Sequence, residues 1–396
     1  MMVRMIFAFA CAGMLWAQNA PIDQAWKLAA KGKSDEAIRI LNDVIKSDSK
    51  NADARLLLGS LLAEKGERAE SLAQLKEAAR LRPESAEAQN ALGEAYNRFG
   101  DAKSARGPFE KAVALNPGFG AAQVNLGLIL LQAGELPAAA GHLDRAIQIF
   151  GRATEAAYPR YLRAKIYTAQ NNAPKALAQL EQAVALRPDF AEAWSDLGLA
   201  RKAAQDDAGA LTAFERAVEL NPADAVAQYR LGAEYLRARR PGKAVQHLQQ
   251  AYRLNPEDQS TLNSLQMALR QDGKQAEADS IRQKLAELLQ KRDQISQNAL
   301  AAVRINNEGA ALEKAGDLRG ALDRYRKALD LKPDHVGIRI NYAVALLRLG
   351  QWTEGLTQLQ EALRRDPGNA QIQAALKDAL AQAPPASIPK RNDGPR

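Results

Sequence analysis

The sequence predicts an all-α fold in which antiparallel helix pairs stack into an α-α solenoid. Three observations carry this expectation. Prolines recur at a spacing of 34 residues, as in Pro83 and Pro117, in Pro188, Pro222 and Pro256, and in Pro333 and Pro367. Small residues recur in phase with those prolines, and glycines recur at one further place in the same period. Aromatic residues make up only 5% of the chain, and no run alternates apolar and polar residues for long enough to suggest a sheet.

At a period of 34 the units begin at Gln18, Ala52, Ala86, Gly120, Ala157, Ala191, Ala225, Gln259, Ala302 and Val336, and a partial eleventh helix begins at Ala370. That helix is expected to cap the array. The chain has 396 residues, more than one ordinary compact core uses, and a repeat array accommodates such a length because each unit touches only its neighbours.

Within each unit the first helix carries a small residue at its eighth position: Gly59, Gly93, Gly127, Gly198, Gly232 and Gly309, with Ala25, Ala164 and Ala343. The second helix carries Ala37, Ala105, Ala139, Ala176, Ala210, Ala244, Ala278 and Ala321 at position 20, with Ser71 and Gly355 completing the series. Small residues at matched places let two helices approach closely, and larger ones would overpack the contact. Bulky apolar residues at positions 7, 11 and 24, such as Leu92, Tyr96 and Phe109, fill the space between layers. The turn falls at position 15, which is Gly32, Gly66, Gly100, Gly134, Gly273, Gly316 and Gly350, with Asn171 in the fifth unit. Each can take the left-handed conformation that ends a helix.

Two stretches interrupt the period, Thr154 to Ala156 and Asp293 to Ala301. The eighth unit also departs from it, with Gln266 at the small position, Leu285 in place of alanine and Gln290 in place of proline. Neither glycine nor proline occurs between Gly273 and Gly309, so its second helix is expected to run long, through Leu285, Leu288, Leu289 and Ile295. The expected organisation is units one to eight over 18–292, a helical spacer over 293–301, units nine and ten with the capping helix over 302–381, and a proline-rich, disordered tail over 382–396.

The N-terminus reads as a leader. Arg4 supplies a positive charge, Met5 to Trp16 an apolar stretch too short to span a bilayer, and Ala17 a small residue at a cleavage point. Residues 1–17 are therefore expected to be a signal peptide, and the protein to be periplasmic or secreted. A lipoprotein reading would instead cut before Cys11, and an uncleaved anchor is the other alternative. Cys11 is the only cysteine, so cleavage after Ala17 leaves a chain without thiols, which suits an oxidising compartment. The mature chain is expected to have no membrane span.

Formal net charge is +8, and the surplus sits late in the chain, where residues 225–396 carry 27 Lys/Arg against 19 Asp/Glu. Acidic residues are interleaved throughout, which argues against nucleic acid and leaves acidic protein segments, or simply a solvated basic surface. His142, His247 and His335 lie far apart with no second ligand at metal spacing. No phosphate-cradling loop, nucleophile turn or metal cluster is present. Neither enzyme activity nor a cofactor is expected.

The pattern Trp194-x-x-Leu197-Gly198, followed by Ala210, Phe214, Ala217 and Pro222, closely resembles the tetratricopeptide repeat, and the resemblance extends over almost the whole mature chain. It implies a right-handed superhelix whose first helices line a concave groove through positions 2, 5, 6, 9, 12 and 13. It also implies a protein that binds peptides or protein surfaces. On that placement the candidate peptide-binding residues are Tyr158, Tyr161 and Tyr229 as anchors, and Arg237, Arg270, Lys314 and Arg348 as a basic row suited to carboxylates. Asn125, Asn307 and Asn341 at position 6 would hold a ligand's backbone. Tyrosines at these places can equally pack on the neighbouring unit, and the cations can equally pair with acids such as Glu313. No unit combines lysine at position 5 with asparagine at position 9, so the carboxylate clamp that reads chaperone tails is not expected. The expected function is binding of extended or acidic client segments in the groove. The alternative is a scaffold joining folded partners in an envelope assembly.

Overall fold

A computed structural model describes residues 20–387. The leader falls outside the described residues, as does the tail beyond Ser387. The described chain is helical, with 3-10 turns at Thr154–Ala156 and Pro385–Ser387 and no strand among the described residues.

The chain divides into two compact units, one ending at Pro256 and one beginning at Glu257. In the first, seven helix pairs follow one another: α1 (Ala20–Ala30) with α2 (Ser34–Ser47), α3 (Ala52–Lys65) with α4 (Arg68–Leu81), α5 (Ala86–Arg98) with α6 (Ala102–Leu115), α7 (Gly120–Gln132) with α8 (Leu136–Phe150), α9 (Ala157–Ala169) with α10 (Ala173–Leu186), α11 (Ala191–Ala203) with α12 (Asp207–Leu220), and α13 (Ala225–Arg237) with α14 (Pro241–Leu254). In the second, α15 (Gln259–Gln271) is followed by α16 (Gln275–Lys314), α17 (Leu318–Leu331), α18 (Val336–Arg348), α19 (Trp352–Arg365) and α20 (Ala370–Gln382). The helix α16 runs unbroken for 40 residues. It packs on α15 with its first part and on α17 with its last, and the stretch 293–301 lies inside it.

The pairs with glycine at the eighth position of the first helix close on that residue. A Cβ on Gly93 would lie 2.6 Å from the Phe109 ring, one on Gly309 2.8 Å from Tyr325, and one on Gly232 2.6 Å from Leu248. These are closer than carbon atoms approach without displacement, so the second helix sits where only a bare Cα permits it. The turns that follow are left-handed. Gly66 and Gly316 have φ of +85° and +89°. Pairs five to seven use Asn171, Gln205 and Arg239 there, with φ of 56°, 63° and 53°. Most second helices begin without a side-chain cap, but Asp101, Asn172, Asp206 and Asp317 each accept a hydrogen bond from the first-turn backbone.

A polar latch at position 4 repeats along the stack. The Nε2 of Gln123 donates to the Pro117 carbonyl at 2.9 Å, and Gln228 does the same to Pro222 at 2.9 Å. Arg339 donates likewise to the Pro333 carbonyl, and Trp194 Nε1 to Pro188 at 2.9 Å. The proline therefore does more than end a helix, because its carbonyl has no helical partner and the next unit supplies one. The other end of the latch reaches position 23 of its own pair. Gln123 Oε1 meets His142 Nδ1 at 2.7 Å, and Gln228 Oε1 meets His247 Nδ1 at 2.9 Å. With the glutamine amide nitrogen committed to a carbonyl, its oxygen can only accept. Each histidine therefore presents a protonated Nδ1 to the glutamine oxygen.

Burial holds both histidines below the ordinary imidazole value, against a weaker upward pull from Glu110 on His142 and from Glu215 on His247. A folded-state value lowered in this way means that the unfolded chain takes up protons first. Stability is then complete above the unfolded histidine value of about 6.5 and is lost as pH falls below it. The melting temperature is expected to drop between pH 7 and pH 5, and His142→Gln combined with His247→Gln should flatten the drop. An unchanged pH profile in the double variant would show that other groups set it.

Candidate functional site

In the first compact unit neighbouring first helices touch at α1 with α3, α3 with α5 and α7 with α9, whereas among the described residues no two second helices come as close. A stack whose first helices are closer together than its second helices is curved toward the first helices. Positions 2, 5, 6, 9, 12 and 13 of those helices therefore form the concave face, as the repeat pattern implies.

Side chains on this face are joined from one repeat to the next at a spacing of 35 residues. Asn125 Nδ2 donates to Asn90 Oδ1 at 2.9 Å, Arg230 Nη1 to Ser195 Oγ at 2.6 Å, and Asn341 Nδ2 to Asn306 Oδ1 at 2.9 Å. Position 5 of one repeat thus meets position 6 of the next. Both N–H groups of Asn125 are thus committed to the preceding repeat, whereas Asn341 commits one of its two. Asn125 is buried as well. Asn307 is exposed and its amide has no partner among the described residues.

The tyrosines divide in the same way. Tyr158 and Tyr161 stack with centroids 6.3 Å apart, and both rings lean on Phe190, at 6.3 and 4.9 Å. The Arg187 guanidinium lies over the Phe190 ring, 3.6 Å from its centroid. The pair packs on the next repeat, yet both rings stay half-exposed on the concave face. Burial pushes both phenols up, and in Tyr161 the Asp196 carboxylate adds to the effect. Tyr229 is half-buried and has no aromatic neighbour among the described residues. Phe190 sits at the start of α11, just ahead of the first helix, where repeat position alone does not mark it as part of the cluster.

The basic row is not a set of bare cations. Arg237 lies 3.7 Å from Asp207 and 3.6 Å from Glu234, and Arg348 pairs with Glu313 at 2.5 Å. The partners come from the preceding repeat or from one helical turn away, which intra-unit alignment does not bring together. Arg270 and Lys314 are exposed and unpaired among the described residues. Arg237 belongs to the first compact unit and the other three to the second. Missing from the expected set is Lys165, an exposed position-9 lysine whose Nζ lies 5.4 Å from the Tyr161 ring centroid and which has no ion pair among the described residues. Its signal was present in the sequence, as the only lysine or arginine at position 9 of any unit.

Among the described residues no group of acidic, histidine or cysteine side chains could hold a metal ion, and no helix is long and apolar enough to cross a membrane.

Profiles described as tetratricopeptide repeat or TPR repeat match residues 28–95, 103–157, 164–205, 191–224 and 312–383, together more than half of the chain. Each describes a repeat, and none describes an enzyme. The BBSome complex member bbs-4 of Caenorhabditis elegans is 38% identical over 63 residues, which cover 16% of this chain and 14% of that protein. Among solved structures, pilF of Pseudomonas aeruginosa superposes with a TM-score of 0.50 at 17% identity, over 54% of this chain and 95% of its own. A tetratricopeptide repeat protein from Parabacteroides merdae gives 0.47 at 15% identity, over 63% and 97%. The chain belongs to the tetratricopeptide repeat family, whose stacked helix pairs serve as scaffolds for protein–protein interaction.

Proposed function

We propose that the protein binds extended segments of partner proteins along the concave face of its first compact unit, and that acidic side chains of those segments meet cations left unpaired there. The observation that carries this reading is the juxtaposition of Lys165 with the half-exposed Tyr158 and Tyr161. An uncommitted ammonium 5.4 Å from an aromatic ring on a concave surface offers a counter-charge beside apolar area. Arg270 and Lys314 offer unpaired positive charge within the second compact unit, and Asn307 a free neutral amide. Arg237 and Arg348 are discounted, because a ligand would first have to displace their carboxylate partners.

A client recovered with the protein from its native envelope, and narrowed to a peptide, tests this. Lys165→Glu should weaken that peptide about five- to tenfold at low salt and by less at high salt, because a partly exposed charge mainly steers association. Unchanged affinity with an unchanged salt slope would remove the acid-reading role. Capture of a folded partner with no peptide that binds alone would favour the scaffold reading instead.

We further propose that the protein works outside the cytoplasm after loss of residues 1–17. The support is the order of positive charge, short apolar stretch and small residue at the N-terminus. N-terminal sequencing of the exported protein is expected to begin at Gln18, and retention of Met1 to Ala17 in a cytoplasmic product would contradict it.

A further inference from the structure

We infer that the concave face also holds a site of the opposite sign. Glu94, in the third repeat, takes the cationic group of the bound segment, a lysine ammonium or arginine guanidinium, on its second carboxylate oxygen. The inference rests on the groove reading above and adds to it the polarity of the ligand.

Glu94 occupies position 9 of α5, half-buried on the concave side. Its Oε1 accepts two amide hydrogen bonds, from Asn90 Nδ2 at 2.9 Å and from Asn125 Nδ2 at 3.0 Å. Asn125 Nδ2 also reaches Asn90 Oδ1 at 2.9 Å, so two linked asparagines from two repeats fix the carboxyl group. No hydrogen bond or ion pair among the described residues reaches Oε2. Burial pushes the carboxyl pKa up, while the two amides and the more distant Arg98 pull it down. Neutral amide donors orient a carboxylate but bring no counter-charge. A held carboxylate with one free oxygen on a concave surface is complementary to a cation.

The carboxylate is not needed to join the repeats. The same 35-residue amide link occurs between Asn341 and Asn306, and position 9 of that unit is Ala310. Position 9 across the units is Trp26, Ser60, Glu94, Leu128, Lys165, Leu199, Ala233, Met267, Ala310 and Val344, with Glu94 the only acid. Two repeats further along the same row stands Lys165, of opposite sign, with Leu128 between them. First helices of successive repeats lie roughly 10 Å apart, and an extended chain advances about 3.3 Å per residue. The ligand should therefore place a basic residue about six positions from an acidic one, with an apolar residue between.

Selection from a displayed library of random dodecapeptides, run in parallel on the wild-type protein and on Glu94→Gln, tests this. Glutamine keeps an acceptor for both asparagines, and an unchanged melting temperature confirms that the fold is intact. Wild-type selection is expected to enrich Lys or Arg at one fixed position with Asp or Glu about six residues away. Glu94→Gln should lose the basic preference and keep the acidic one, and a selected peptide should bind it tenfold or more weakly. Enrichment without a fixed basic residue, or a preference that survives Glu94→Gln, overturns this inference alone. Absence of enrichment from either protein overturns the groove reading and this inference with it. Should Glu94→Gln melt early, the wild-type protein decides by NMR. The Glu94 carboxyl pKa should fall when the selected peptide binds and stay put when the peptide's basic residue is replaced by alanine. A carboxyl unmoved by the intact peptide overturns the assignment.

Discussion

Phe214→Ala is expected to cost about 3–5 kcal/mol, nearly all of it in the sixth helix pair and its neighbours. Phe214 is 1% exposed and fills the space between α11 and α12, with Ala210 and Ala217 on its own helix equally buried. Truncation leaves a cavity that the stack cannot close without moving helices held by their own latches and turns. Each repeat contacts only its neighbours, so the loss should stay local. Hydrogen exchange on the variant should show protection lost in α11, α12 and the adjoining helices and retained in α1 to α4. Uniform loss through the first compact unit would show that the unit melts as one body.

Leucine at Gly198 attacks the same contact from the other side and is expected to cost about 1–3 kcal/mol by overpacking. A Cβ there would already stand 2.6 Å from Cδ1 of Phe214. The chain contains its own control. Where position 24 is aromatic, as in Phe109, Phe214 and Tyr325, position 8 is Gly93, Gly198 or Gly309. Where position 8 is alanine, as in Ala25, Ala164 and Ala343, position 24 is Leu41, Leu180 or Leu359. Gly198→Ala combined with Phe214→Leu should therefore be better tolerated than the sum of the two single changes, a coupling of the kind measured for residues in contact. Additive losses would mean that the two positions do not share the contact.

The sequence displays the helix pairs because the demands that make them are local and recur at a fixed interval. A turn needs a left-handed residue, a close crossing needs a small one, and both fall in phase with Pro188, Pro222 and Pro256. The uninterrupted run from Gly273 to Gly309 likewise announced a long helix, since nothing in it ends one. What the alignment did not display was pairing between repeats. That Arg237 meets Asp207, or that Asn125 gives its donor to Asn90 and Glu94, depends on the curvature of the stack and on rotamers, and no single unit encodes either. Candidate residues chosen by position were therefore a mixture of exposed groups and groups already committed. Lys165 and Glu94 come forward once the commitments are known. The division at Pro256 was likewise not marked by composition, since that proline keeps the 34-residue spacing.

Binding of an extended segment on the concave face of the first compact unit is read out by hydrogen exchange of the protein with and without a bound client peptide. Added protection is expected in the first helices α5, α7, α9 and α11, with α6, α8, α10 and α12 unchanged. Protection confined to the second helices, or to α16, would contradict it.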